Sequence, residues 1–189
     1  SFAKSILAIK SGVEIFGSDS SEIEIIDLLL GSFDLVGLPS SCLSLGRTEV
    51  LDEIIRDENL PEFKEKKLRE IISDKSESDL IEWSDTNKVD KKSLGKIITL
   101  MHSYGDIQCL EKISSFSKLA KNSVENLKAI TEKISHENIH IDMTDFPGFN
   151  YHQGLVFSVH SQNFGFAIAN GGQYSCLLYT SDAADDRIG

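Results

Sequence analysis

Basic residues are scarce in this sequence. Nineteen Lys and Arg stand against thirty Asp and Glu, a net charge of −11, so the composition offers no broad cationic surface to a phosphate backbone and argues against nucleic-acid binding. Cysteine is scarcer still. Cys42, Cys109 and Cys176 show no CxxC spacing, which leaves no disulfide framework and makes a reducing cytoplasm the default compartment. Long apolar runs are also missing: residues 23–30, the best candidate, are interrupted by Glu24 and Asp27, far short of the ~20 residues a membrane helix needs. No initiator Met opens the chain and no small-residue cleavage pattern follows its first apolar stretch, so a secretory signal is not expected and the start reads as lying inside a longer protein.

Several familiar sites are absent as well. There is no P-loop, no dinucleotide glycine fingerprint after a strand and no Gly-x-Ser-x-Gly elbow. The five histidines, His102, His136, His140, His152 and His160, include no i, i+4 pair on an expected helix and no cysteine at ligand spacing, so neither a metal nor a cofactor is expected. His140 and His160 fall on presumed strands, where solvent exposure accounts for them. The basic run from Lys64 to Arg69 is interleaved with Glu62, Glu65 and Glu70 and reads as a solvated helix face.

What is present suffices for one folded domain: 189 residues, of which 40% are hydrophobic. Residues 2–16 read as strand-like up to a turn at Gly17. Ser21 and Glu24 have capping-box spacing ahead of Ile23, Ile26, Leu30 and Phe33, which recur at helical intervals until Gly37 and Pro39 stop the element. A short strand is expected over residues 42–45, then a long helical region. Asp90, Asp106 and Asn122 are its candidate N-caps, and residues 73–90, polar apart from Leu80, Ile81 and Trp83, read as a loop. Past Glu137 the period becomes two. Ile139, Ile141 and Met143 alternate with His140, Asp142 and Thr144 as a half-buried strand, and Leu155, Phe157 and Val159 alternate likewise with Val156, Ser158 and His160. Phe146-Pro147-Gly148 forces a turn between them, residues 161–165 turn into a further strand over 166–170, and Gly171-Gly172 ends it. The order predicts an α+β domain with a helical insertion.

Three segments carry a family likeness. Pro147-Gly-Phe-Asn-Tyr-His-Gln-Gly154, Leu155-Val-Phe157 and Ala167-Ile-Ala-Asn-Gly-Gly-Gln-Tyr174 resemble the core of histidyl-tRNA synthetases and, more closely, their paralogues, the regulatory subunits of ATP phosphoribosyltransferase. Ser11-Gly-Val-Glu-Ile-Phe-Gly17 is similar to the end of class II motif 2 in both, and Leu43-Ser-Leu-Gly46 fits in order and spacing. The resemblance implies an α+β class II aminoacyl-tRNA synthetase-like fold: an antiparallel sheet with flanking helices over residues 1–175, truncated at both ends, with the helical insertion at about residues 47–135. Residues 176–186, Cys-Leu-Leu-Tyr-Thr-Ser-Asp-Ala-Ala-Asp-Asp, resemble a translated sequencing adapter, so residues 176–189 are expected to add nothing native.

The departures from the synthetase pattern bear on chemistry. Adenylate formation needs a cation poised where negative charge develops on phosphorus, the electrostatic contribution that usually dominates such catalysis. The synthetases place an Arg just before their Gly-Leu-Asp-Tyr-Tyr stretch, where this chain has Pro147. Asn150, His152 and Gln173 replace the synthetase Asp, second Tyr and a later Arg. No catalytic residue is therefore expected. The resemblance implies a non-catalytic regulatory subunit required for the first step of L-histidine biosynthesis, assembled with the catalytic short-form subunit and self-dimeric at full length, with L-histidine as a feedback effector. The alternative is a fragment of an active synthetase. For histidine binding it points to Glu14 at the amino group, Tyr151 beside the imidazole, Lys10 toward the carboxylate or paired with Glu14, and Tyr174.

Overall fold

The computed structural model describes residues 11–16, 21–38, 41–145, 152–162 and 164–174. The first helix, α1 (Ser21–Leu35), starts where the capping-box spacing placed it and ends at Gly37, whose φ of +67° lies in the region open to glycine. Strand β1 (Ser41–Arg47) follows, and the insertion is then built from α2 (Glu49–Asp57), α3 (Glu62–Ser73), α4 (Glu77–Asn87), α5 (Lys91–Met101), the two-residue strand β2 (Tyr104–Gly105), two short 3₁₀ turns, and α6 (Lys118–Lys133). Strands β3 (Ile139–Asp142), β4 (His152–Ser161) and β5 (Ala169–Tyr174) complete the order.

The sheet runs β2-β3-β1-β4-β5. It is mixed rather than wholly antiparallel: β1 pairs with β3 in parallel, Leu43 opposite Ile139 and Leu45 opposite Ile141, while every other pair is antiparallel. The parallel pair follows from the insertion, since the helices carry the chain from one end of the sheet back to the other as a crossover.

Four local expectations are corrected. Residues 11–16 have no regular structure. Residues 73–90 contain α4, whose Leu80 and Ser84 are buried and whose Trp83 packs partly buried against the core; these few contacts anchor a helix too polar to be read from composition. The last helix begins at Lys118, not after Asn122, because Ser117 caps it by accepting from the Ala120 amide at 3.0 Å. Gly171-Gly172 does not end β5, which continues to Tyr174. The Phe146-Pro147-Gly148 turn lies outside the described residues. Asp90 and Asp106 cap as expected, Asp90 accepting from the amides of Lys92 and Ser93 and Asp106 from that of Gln108.

One apolar core joins sheet and helices. Leu43, Leu45, Ile141, Leu155, Phe157 and Val159 share a cluster with Val50, Leu51 and Ile54 of α2, Leu68 and Ile72 of α3, Leu100 of α5 and Leu127 of α6. Every one of these sheet residues lies on a single face, because directly paired residues point the same way and alternate along each strand. Val156, though 1% exposed, is not part of that cluster; it belongs to the opposite face.

Candidate functional site

The face turned away from the helices is made of small and polar side chains. Ser44 is paired with Ser158, Cys42 with His160 and Gly46 with Val156 across β1 and β4, and Asn170 and Gly172 extend the same rows onto β5. Expected alternation between buried and wet fails here: Ser44, Ser158, Asp142 and Thr144 are all buried. Polar groups withdrawn from water need partners, and two hydrogen-bonded constellations supply them for Asp142, Thr144 and Ser158.

In the first, Asp142 at the end of β3 accepts from the Thr144 amide at 3.0 Å and from the Lys75 ammonium, which is 2.8 Å from Oδ2 and 2.9 Å from Oδ1. Lys75 also donates to Thr144 Oγ1 at 2.9 Å and lies 5.1 Å from the centre of the Tyr104 ring. Its φ of +53° is uncommon for a side-chain-bearing residue. The turn between α3 and α4 thus delivers a cation from the insertion to the sheet.

In the second, Ser158 Oγ donates to Asp145 Oδ2 at 3.1 Å and lies 3.0 Å from His160 Nε2. A carboxylate only accepts, so the single hydroxyl hydrogen goes to Asp145 and His160 donates from Nε2 to the serine oxygen. The order Asp–Ser–His leaves the histidine hydrogen on the serine and gives it no hold on the hydroxyl proton, which is not the arrangement of a nucleophilic triad. His160 is therefore half-buried and bonded, not simply solvated. The Cys42 thiol beside it is pushed up from its ordinary value by burial, which disfavours the reactive thiolate.

The motif glycines have steric roles. Gly154 has φ +115°, and a Cβ there would lie 2.3 Å from Gln173 Oε1 and 3.5 Å from Arg47 Nη2. A Cβ on Gly171 would lie 2.4 Å from Phe157 Cζ. Arg47 is 8% exposed; it donates from Nε to Glu49, and its Nη1 is 3.8 Å from Glu22, so it ties β1 to the starts of α1 and α2. Glu49 also accepts from Ser123 of α6 at 3.0 Å.

Of the residues expected to bind histidine, Glu14 is exposed on the irregular segment 11–16, Tyr174 is half-buried at the end of β5 opposite His152, and Lys10 and Tyr151 lie outside the described residues. Sequence reasoning missed Lys75, Asp145 and the Ser158–His160 pair. The i, i+2 spacing of Ser158 and His160 on a strand was a usable signal for a shared face, but nothing local announces Lys75 or Asp145. Among the described residues no group of three or more His, Cys, Asp or Glu is arranged to hold a metal ion, and no helix is long and apolar enough to cross a membrane.

The sequence profile of the histidyl-tRNA synthetase family matches residues 2–189. The chain belongs to that family. Among curated relatives, the ATP phosphoribosyltransferase regulatory subunit of Saccharophagus degradans is 27% identical over 176 residues, covering 88% of this chain and 45% of the relative. This family member therefore spans less than half the length of that relative. Among solved structures, an ATP phosphoribosyltransferase regulatory subunit/histidyl-tRNA synthetase from Bacillus halodurans C superposes with a TM-score of 0.71 at 18% identity, over 84% of this chain and 43% of that one. A chain of the ATP phosphoribosyl transferase (HisG:HisZ) complex from Thermotoga maritima gives 0.67 at 16% identity, over 86% and 58%. These likenesses establish the class II synthetase-like fold.

Proposed function

We propose that this chain is part of a non-catalytic regulatory subunit of ATP phosphoribosyltransferase, acting at the first step of L-histidine biosynthesis in the cytoplasm. The observation that carries the reading is Pro147 at the position where the synthetase pattern has its arginine: a proline carries no charge and its ring nitrogen has no hydrogen to donate. Loss of one preorganised donor costs on the order of a hundredfold or more in rate, and Gln173 replaces a second cation of the pattern. The curated relatives' names support the same assignment. The partner is the catalytic short-form subunit, in a hetero-oligomer whose regulatory half is itself a dimer at full length, and L-histidine is the effector. In this reading Glu14, Lys10, Tyr151 and Tyr174 belong to the effector pocket, and residues 176–189 contribute nothing to it.

The test is an activity assay of the catalytic subunit with and without the full-length protein, in the presence and absence of L-histidine. Activation that depends on this protein is the expected result. Absence of activation together with histidine-dependent ATP–pyrophosphate exchange would replace the reading with that of an active synthetase.

A further inference from the structure

Of the five helices that make up the insertion, α4 (Glu77–Asn87) has the fewest anchors. It buries one apolar side chain fully, Leu80, with Trp83 partly buried against the core, whereas α2, α3, α5 and α6 each bury three or more. Ser84, the other buried residue of α4, is 2% exposed, and among the described residues its hydroxyl has no hydrogen-bond partner, so docking the helix leaves a polar group worse off than in water. The N-cap, Ser76, bonds no backbone amide with its side chain, unlike Asp90 on α5 and Ser117 on α6. Asp79, Glu82 and Asp85 stand three residues apart, with no Lys or Arg anywhere in the helix. Like charges so spaced repel, and Asp85 lies toward the negative end of the helix dipole. Both bounding turns are left-handed: Lys75 has φ +53° and Lys88, the C-cap, φ +58°, conformations that residues bearing a side chain seldom adopt.

What offsets these costs comes from outside the helix. The Lys75 ammonium bonds to Asp142 and Thr144 at the end of β3, at 2.8 to 2.9 Å. Glu77 meets His102 Nε2 at 2.8 Å, but both side chains are largely exposed, and such pairs add little. The residue that makes the left-handed turn into α4 is thus the residue that reaches the sheet, and one motion frees both. Weakly docked elements of this kind open at a lower free energy than the fold as a whole. We infer that α4 and its Lys75 turn open and close as one unit while the rest of the protein stays folded, and that closure is coupled through Lys75 to the order of residues 142–144. Coupling is reciprocal: whatever fixes Asp142 and Thr144 holds α4 down, and whatever holds α4 down keeps Asp142 bonded. The insertion thereby has a helix whose order reports the state of the end of β3, a device that goes beyond the regulatory reading and does not rest on it.

Hydrogen–deuterium exchange of the full-length protein over a series of low urea concentrations, resolved to peptides by mass spectrometry, tests both parts. The α4 amides are expected to exchange about tenfold or more faster than those of α6 and with a shallower dependence on urea, the mark of an opening that exposes little surface. Lys75→Met and Asp142→Asn each accelerate α4 exchange about tenfold, the size of one lost charged hydrogen bond, and together they accelerate it no further than the stronger of the two alone. Lys88→Gly, which relieves the left-handed C-cap, slows it several-fold. Leu127→Ala, which opens a cavity in the core under α6, leaves α4 exchange unchanged while weakening the whole fold. Two results overturn the assignment. Exchange of α4 and α6 at one rate and with one urea dependence would show that α4 is no separate unit. A folded Asp142→Asn protein whose α4 exchanges as in the wild type would show that the helix is not coupled to the sheet, and Lys75→Met, on a turn, decides the same point if the Asn variant does not fold.

Discussion

Lys75 and Asp142 are 67 residues apart in sequence, and the ammonium of one touches both carboxylate oxygens of the other, at 2.8 and 2.9 Å. The pair fastens the turn between α3 and α4 to the strand that leads into the motif segment. Asp142 is 7% exposed, so removing its partner strands a buried charge. Lys75→Met is expected to cost about 1–3 kcal/mol, the penalty for an unsatisfied buried polar group, and Asp142→Asn in the same background restores part of it. Urea titration of the full-length protein, run as a double-mutant cycle, measures the coupling; strict additivity would show the pair to be inert.

Gly171 presents a sharper steric test. Its missing Cβ leaves room for the Phe157 ring, with a would-be contact of 2.4 Å. Gly171→Ala is expected to destabilise by about 1–3 kcal/mol through overpacking, and Phe157→Leu should recover part of that loss although it is damaging alone. Gly154→Ala has no such rescue, because its φ of +115° strains any side chain whatever the space.

The Cys109 thiol is pushed up to about 11 by burial, with Asp106 and Asp142 adding to the effect. At pH 8 it is protonated and should alkylate far more slowly than an unfolded-state thiol; Cys42, also raised by burial, should change in the same direction. Peptide-resolved mass spectrometry after iodoacetamide treatment, native against urea-unfolded, checks both. The sign for stability follows from linkage: the folded thiol holds its proton up to about 11 and the unfolded one up to its ordinary 9.0. In that window the unfolded state binds fewer protons, so this contribution is whole below pH 9 and is lost as pH rises through 11.

Ser117 does two jobs with one hydroxyl, accepting from the Ala120 amide at 3.0 Å and donating to Glu53 at 2.6 Å. Ser117→Ala is expected to lower stability by about 0.5–2 kcal/mol, the range for a lost N-cap, while Ser117→Asp keeps the cap but sets a second carboxylate against Glu53 and recovers less than Ser117→Asn. Thermal unfolding of the three variants ranks them.

Much of the architecture was legible in the residues. Ile23, Ile26, Leu30 and Phe33 announced α1, and the period-two runs around Ile141 and Phe157 announced β3 and β4, since those patterns report a neighbouring apolar face directly. What stayed hidden depends on distant parts of the chain. The helix at Glu77–Asn87 is stabilised by a few buried contacts such as Leu80, which composition dilutes. The parallel register of β1 and β3 is set by the crossover and not by either strand's sequence. Of the candidate site, the motif glycines and the polar positions of β4 were visible, but Lys75 and Asp145 meet their partners only through tertiary structure. Likeness to a family placed attention on residues 147–154; the bonded polar groups that the structure describes are Lys75, Asp142, Thr144, Asp145, Ser158 and His160.

The parallel pairing of β1 with β3 also governs when the molecule can assemble. Leu43 and its partner Ile139 are about a hundred residues apart, and at about 5–20 residues per second of synthesis β1 leaves the ribosome some 5–20 s before either strand that will flank it. During that interval neither β3 nor β4, the strands that flank it in the described sheet, has been made. The insertion helices are built from local contacts, the kind that forms fastest, and α2, which shares a core cluster with Leu43 and Leu45, is made before either flanking strand. Birth order thus makes the apolar surface of the insertion available to β1 before its strand partners are.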